Sequence, residues 1–160
     1  MNRKRKLHTR NAGFSLVELI IVIAIMAILA GALAPALIKY IEKSRRTSDL
    51  QAADAMQAAM QRVLTETNFS VNSGDNVMIV KNTMNFNDPA TCIEDELYCE
   101  LGGMIPDIKS YPDYYWYIKY NDSSGAVPEI HLTDGPSGQP IYELYPNNTA
   151  FANADDKKNN

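Results

Sequence analysis

The chain has 160 residues, roughly the size of one ordinary domain, and 46% hydrophobic with 21% charged residues excludes a disordered or collagen-like polymer. Its net charge of -4 hides a segregation, because five of the fifteen basic residues fall in the first thirteen positions with no acid among them. Without that segment ten bases face nineteen acids, a net -9, which argues against general binding to a phosphate backbone.

In chain order, the basic start is Arg3, Lys4, Arg5, Lys6 and Arg10. Residues 19–38 then run for 20 positions without a charge, enough to span a bilayer as a helix, so a plain cytosolic enzyme is excluded. A basic start, an apolar run and small residues at 32–36 also describe a secretory signal peptide. Three features oppose that reading: the uncharged run is longer than a signal core, Glu18 lies inside the apolar stretch, and helical patterning continues past any cut. Glu18 is the most informative residue. An ionised carboxylate in a membrane costs about 2.5–3.5 kcal/mol at the centre and less at the interface, so it calls for a partner. Phe14 lies one helical turn earlier, and cleavage before it creates an α-amino group for Glu18 of the same or a neighbouring chain. The alternative is that Glu18 marks the headgroup boundary of an ordinary anchor.

Residues 13–25 read GFSLVELIIVIAI, behind a short basic leader and ahead of Pro35. This string resembles the class III signal of type IV prepilins and pseudopilins. The resemblance implies cleavage between Gly13 and Phe14 by prepilin peptidase, N-methylation of Phe14, an assembly role for Glu18 as the fifth mature residue, and a helix-loosening proline at Pro35. It is clear over residues 1–66 and architectural beyond. It also implies a precursor that crosses the cytoplasmic membrane once, handled by pilus assembly machinery and then stacked into a homo-oligomeric helical filament at the cell surface. The positive-inside bias is weak, five bases before the span against Lys39, Lys43, Arg45 and Arg46 after it, so topology rests on the resemblance. Small residues spaced as Ala27/Gly31 and Ala30/Ala34 permit close helix approach, although membrane composition alone explains the alanines. Pro35 removes a backbone donor, making 31–35 a weak point.

Beyond Lys39 the helix is expected to continue as an amphipathic half over 39–66, with Leu37, Ile41, Ser48, Ala52, Met56, Ala59, Met60 and Val63 on one face and Asp49 among the polar residues falling elsewhere. Residues 14–66 make roughly 80 Å of helix, too long to bury whole in so small a domain. The globular region is expected over 67–146, with a short strand or apolar loop at 77–80, strands at 114–120, 130–133 and 141–145 and turns at 122–125 and 134–138. The last three strands suggest a small antiparallel sheet laid over the helix, and with the resemblance this implies an α+β, type IV pilin-like fold. Residues 147–160 read as a frayed polar tail.

Cys92 and Cys99 bracket Glu94, Asp95 and Glu96. A disulfide closing this small loop would stabilise by about 2–3 kcal/mol; two free thiols or a local metal site are the alternatives, and zinc is poorly served without a nearby histidine. No metal site or cofactor is expected. No catalytic residue is expected either: there is no GxSxG, P-loop, HExxH or Rossmann glycine string, and His131 stands alone on a strand. The expected function is a structural subunit of an extracellular type IV pilus serving adhesion or twitching motility, with no specific nucleic-acid partner. The alternatives are a pseudopilin or minor pilin of a secretion or DNA-uptake system, and a signal-anchored extracytoplasmic protein.

Overall fold

A computed structural model describes residues 13–66, 75–83, 93–121, 126–152 and 154. The chain divides into two compact units, Met1–Tyr40 and Ile41–Asn160, and helix α1, Leu16–Glu66, contributes to both. In the first unit every described residue is exposed, including Leu16, Ile20, Ile23, Met26, Leu29 and Leu33. Pro35 lies inside the helix, where its missing N–H leaves the Gly31 carbonyl without its usual donor. Among the described residues, α1 is the one helix long and apolar enough to cross a membrane, judged by length and composition.

The second unit holds the core. From residue 49 onward α1 buries Ala53, Met56, Ala59, Met60 and Val63, spacings of three and four that put them on one face. They pack with a four-stranded antiparallel sheet in the order β1-β2-β3-β4, made of β1 Asp75–Val80, β2 Tyr115–Asn121, β3 Glu129–Thr133 and β4 Tyr142–Tyr145. The alternation of strand side chains sends Met78, Val80, Trp116, Ile118, Ile130, Leu132 and Leu144 to the core. The register sets Val80 opposite Trp116, Met78 opposite Ile118, Trp116 opposite Leu132, and Ile118 opposite Ile130, so large side chains meet across adjacent strands. The Trp116 indole N–H donates to the Pro106 carbonyl at 2.8 Å, which removes the penalty of burying that polar atom. The long helix packed on a small antiparallel sheet is the α+β, pilin-like arrangement expected from the sequence.

Three features differ from the sequence expectations. Helix α2, Ile93–Glu100, occupies the acidic stretch. Glu94, Asp95 and Glu96 fall in its first turn, where negative charge is favoured by the unpaired N–H groups, so helix chemistry accounts for the cluster. Its end is closed by Gly102 and Gly103 at φ 77° and 80°, with the Gly103 N–H donating to the Tyr98 carbonyl, a left-handed cap that side-chain-bearing residues resist. Second, the polar tail contains α3, Thr149–Ala152, because Phe151 is fully buried, tilted against Tyr111 and edge-on to Tyr142. One aromatic ring supplies enough apolar burial to order that turn. Third, Asp49 is buried rather than solvated. Its two carboxylate oxygens accept the backbone N–H groups of Lys109, at 2.7 Å, and Ser110, at 2.8 Å, clamping that loop to α1.

The aromatic cluster carries an alkaline signature. Burial, then a hydrogen bond with Tyr142, pushes the Tyr111 phenol up to about 12, and burial also raises Tyr120. The folded value lies above the unfolded value of about 10, so the unfolded chain loses its phenol protons first. Stability from this source is intact below pH about 10 and falls as pH rises toward about 12. Tyrosinate absorbance followed beside circular dichroism should show late-ionising phenols appearing together with loss of structure. Tyr111→Phe should shrink that phase.

Candidate functional site at the helix N-terminus

The α1 start is built by local chemistry. Ser15 precedes the first helical residue, and its carbonyl accepts the Leu19 N–H at 3.2 Å, the first bond of the helix. Three residues on, the Glu18 carboxylate accepts the Ser15 backbone N–H at 2.9 Å. This is the glutamate half of a capping box, and it satisfies one of the orphan donors of a helix start. The Ser15-x-x-Glu18 spacing ahead of an apolar run is a sequence signal for this cap, one masked by the stronger cue of a charge inside an apolar stretch.

The cap places the carboxylate at the peptide N–H one residue after Phe14. Gly13 and Phe14 precede the helix in irregular backbone, Phe14 is 93% exposed, and a Cβ added at Gly13 meets nothing within 4 Å. The site thus combines an accessible peptide bond, an exposed aromatic residue after it, and a carboxylate held at the helix start beside them. Pro35 lies further along α1 and is not part of this group.

The described part of this segment coincides with a known signature. Residues 8–34 match the prokaryotic N-terminal methylation motif. The chain carries the type IV prepilin signature. The matched stretch contains Gly13, Phe14 and Glu18 and ends just before Pro35. The prepilin signature implies processing by prepilin peptidase and handling by pilus assembly machinery in general, and together with the apolar helix it supports a membrane-anchored precursor. No curated protein and no solved structure matches the chain.

The remaining residues singled out in the sequence lie elsewhere. Cys99 is exposed on α2 with a free thiol, and Cys92 lies outside the described residues, as does His8. His131, on β3, meets the Tyr117 ring edge-on and stands 3.2 Å from the Glu129 carboxylate. On the same outward face Lys119 bridges Asp75 at 2.9 Å and Glu129 at 3.6 Å. The hydrogen bond from Lys119, aided by one from Asn121, holds the Asp75 carboxyl below the usual carboxylate range, and the same Asp75 contact raises Lys119. Opposite charges facing across strands account for these residues as sheet surface.

Proposed function

We infer that the chain is a structural subunit of a type IV pilus-like filament. Residues 1–13 form the leader, the peptide bond after Gly13 is cut, Phe14 is N-methylated, and residues 14–38 serve first as membrane anchor and then as filament core. Adhesion or twitching motility is the role such a surface fibre fits, and the acidity of the processed chain speaks against DNA binding. The reading is carried by Glu18, a carboxylate in the first turn of an otherwise apolar, exposed helix start inside the matched motif.

In the precursor, Glu18 accepts one neutral N–H. Leader removal exchanges the Phe14 amide for a cationic amine, and a carboxylate then gains a charged partner on its own chain or on a neighbour. The bond to the Ser15 N–H carries charge on the carboxylate alone, whereas an ammonium partner adds ion-pair attraction, and in a lipid or filament interior the alternative is a lone buried charge. Processing therefore switches on an attraction that the precursor lacks. N-terminal mass spectrometry of protein sheared from cells tests the reading. The expected chain begins at Phe14 and carries one extra methyl group; a chain beginning at Met1, or at an alanine between residues 30 and 36, refutes it. A pseudopilin or minor pilin would share this N-terminus, and abundance in the sheared fibres separates a shaft subunit from one that primes or pushes.

A further inference from the structure

The loop that Asp49 clamps, together with the residues following β1, lines an open cleft of about 290 Å³ that takes no part in the function proposed above. Ile108 and Trp116 form its buried floor, the Trp116 N–H being given to the Pro106 carbonyl, and the carbon within reach of a ligand comes from Pro106, Pro112 and Tyr114. Tyr114 is half-buried along the wall. The exposed lining is polar. The Asn82 amide donates to one carboxylate oxygen of Asp107, which fixes both planar groups relative to each other and leaves the second oxygen to accept. Lys81 also lines the cleft, its ammonium 4.7 Å from the centre of the Tyr115 ring, and no carboxylate among the described residues pairs with it.

Charge, shape and size narrow the ligand. One cation and one carboxylate sum to zero, so neither an anion nor a cation is favoured. Carbon and ring surface on one side and an oriented amide–carboxylate pair on the other suit a molecule with an apolar face and a rim of hydroxyls. The volume lies at the small end of ligand pockets, about 300–1,000 Å³, and admits one ring rather than a chain. We propose that this cleft binds a single neutral pyranose unit of a glycan. One C–H face of the sugar packs on Tyr114 and the carbon lining, a hydroxyl donates to Asp107, and a neighbouring hydroxyl is held by the Asn82 amide. The inference is independent of how the N-terminus is processed.

Saturation-transfer NMR on the full chain in detergent micelles tests it, with the methyl glycosides of galactose, mannose and N-acetylglucosamine as probes. At least one should receive transfer, strongest at ring protons of one face. Asp107→Ala should weaken that binding by about tenfold or more, as loss of a hydrogen bond to a charged group predicts. Asn82→Ala should act in the same direction. Both residues are exposed, so the unfolding temperature should stay at the wild-type value. Glu129→Gln, on the outward sheet face, should leave transfer intact. Absence of transfer from all three glycosides overturns the proposal. So does transfer that survives in both the Asp107→Ala and Asn82→Ala proteins, or binding of a capped proline dipeptide that the glycosides fail to displace.

Discussion

Glu18→Gln should abolish fibre formation as completely as Glu18→Ala, although only the alanine variant loses the helix cap. Gln is as competent as Glu at the third helical position of a capping box, so Glu18→Gln keeps an acceptor for the Ser15 N–H and removes only the charge. If assembly depends on pairing that charge with a processed amine, removing one partner of a buried pair costs about 3–5 kcal/mol. At 1.4 kcal/mol per factor of ten, fibre yield falls by at least about a hundredfold. Membrane insertion should be unaffected or improved, because a carboxylate in an apolar span is itself unfavourable. The measurement is quantitative blotting of sheared fibres against the membrane fraction. Wild-type yield from Glu18→Gln with failure of Glu18→Ala would reduce the residue to a helix cap and remove the electrostatic account of assembly.

Asp49→Ala carries the second large effect. The substitution removes the acceptor of two part-buried N–H groups, those of Lys109 and Ser110, and each unsatisfied donor costs about 1–3 kcal/mol when water cannot replace the bond. A loss of about 3 kcal/mol is expected, a fall of about 10 °C in unfolding temperature for a domain of this size. Asp49→Asn should lose at least about 2 kcal/mol, since an amide keeps one acceptor and turns a donor toward the other N–H. Asp54→Ala, exposed on the same helix, should stay within about 0.5 kcal/mol of wild type. Thermal unfolding of the full chain in detergent reads all three, and an Asp49→Ala protein within about 1 kcal/mol of wild type would show that the loop holds by other contacts.

These two carboxylates also mark where sequence reasoning succeeds and where it stops. Glu18 was conspicuous because a charge inside an apolar run violates the local pattern. The strands were legible for a similar local reason: aromatic and branched residues at 115–120 alternate between a buried and an outward set, and the sequence after them is rich in Gly, Asp and Ser. Asp49 gave no such signal. A charged residue on an amphipathic helix reads as solvent-facing, and its partners lie 60 and 61 residues away in an irregular loop. The same limit applies to Phe151, whose neighbours look like a disordered tail until the rings of Tyr111 and Tyr142 are placed beside it. Helix α2 is an intermediate case. Its three acids followed by a glycine pair six residues on form a start and stop signal, but Cys92 and Cys99 around the acids equally suggest a closed loop. The cleft was invisible to sequence because its lining comes from three separate stretches of chain.

The placement of the methionines has a consequence for chemical wear. Met56, Met60 and Met78 are at most 1% exposed in the core, whereas Met104 is 68% exposed. Conversion of a thioether to a sulfoxide follows access, so peroxide reaching the folded protein consumes Met104 before the packed Met56, Met60 and Met78. Sulfoxide at Met56, Met60 or Met78 is then a record that the helix and sheet had come apart, and the ratio of inner to outer sulfoxide becomes a clock for the ageing of the protein outside the cell.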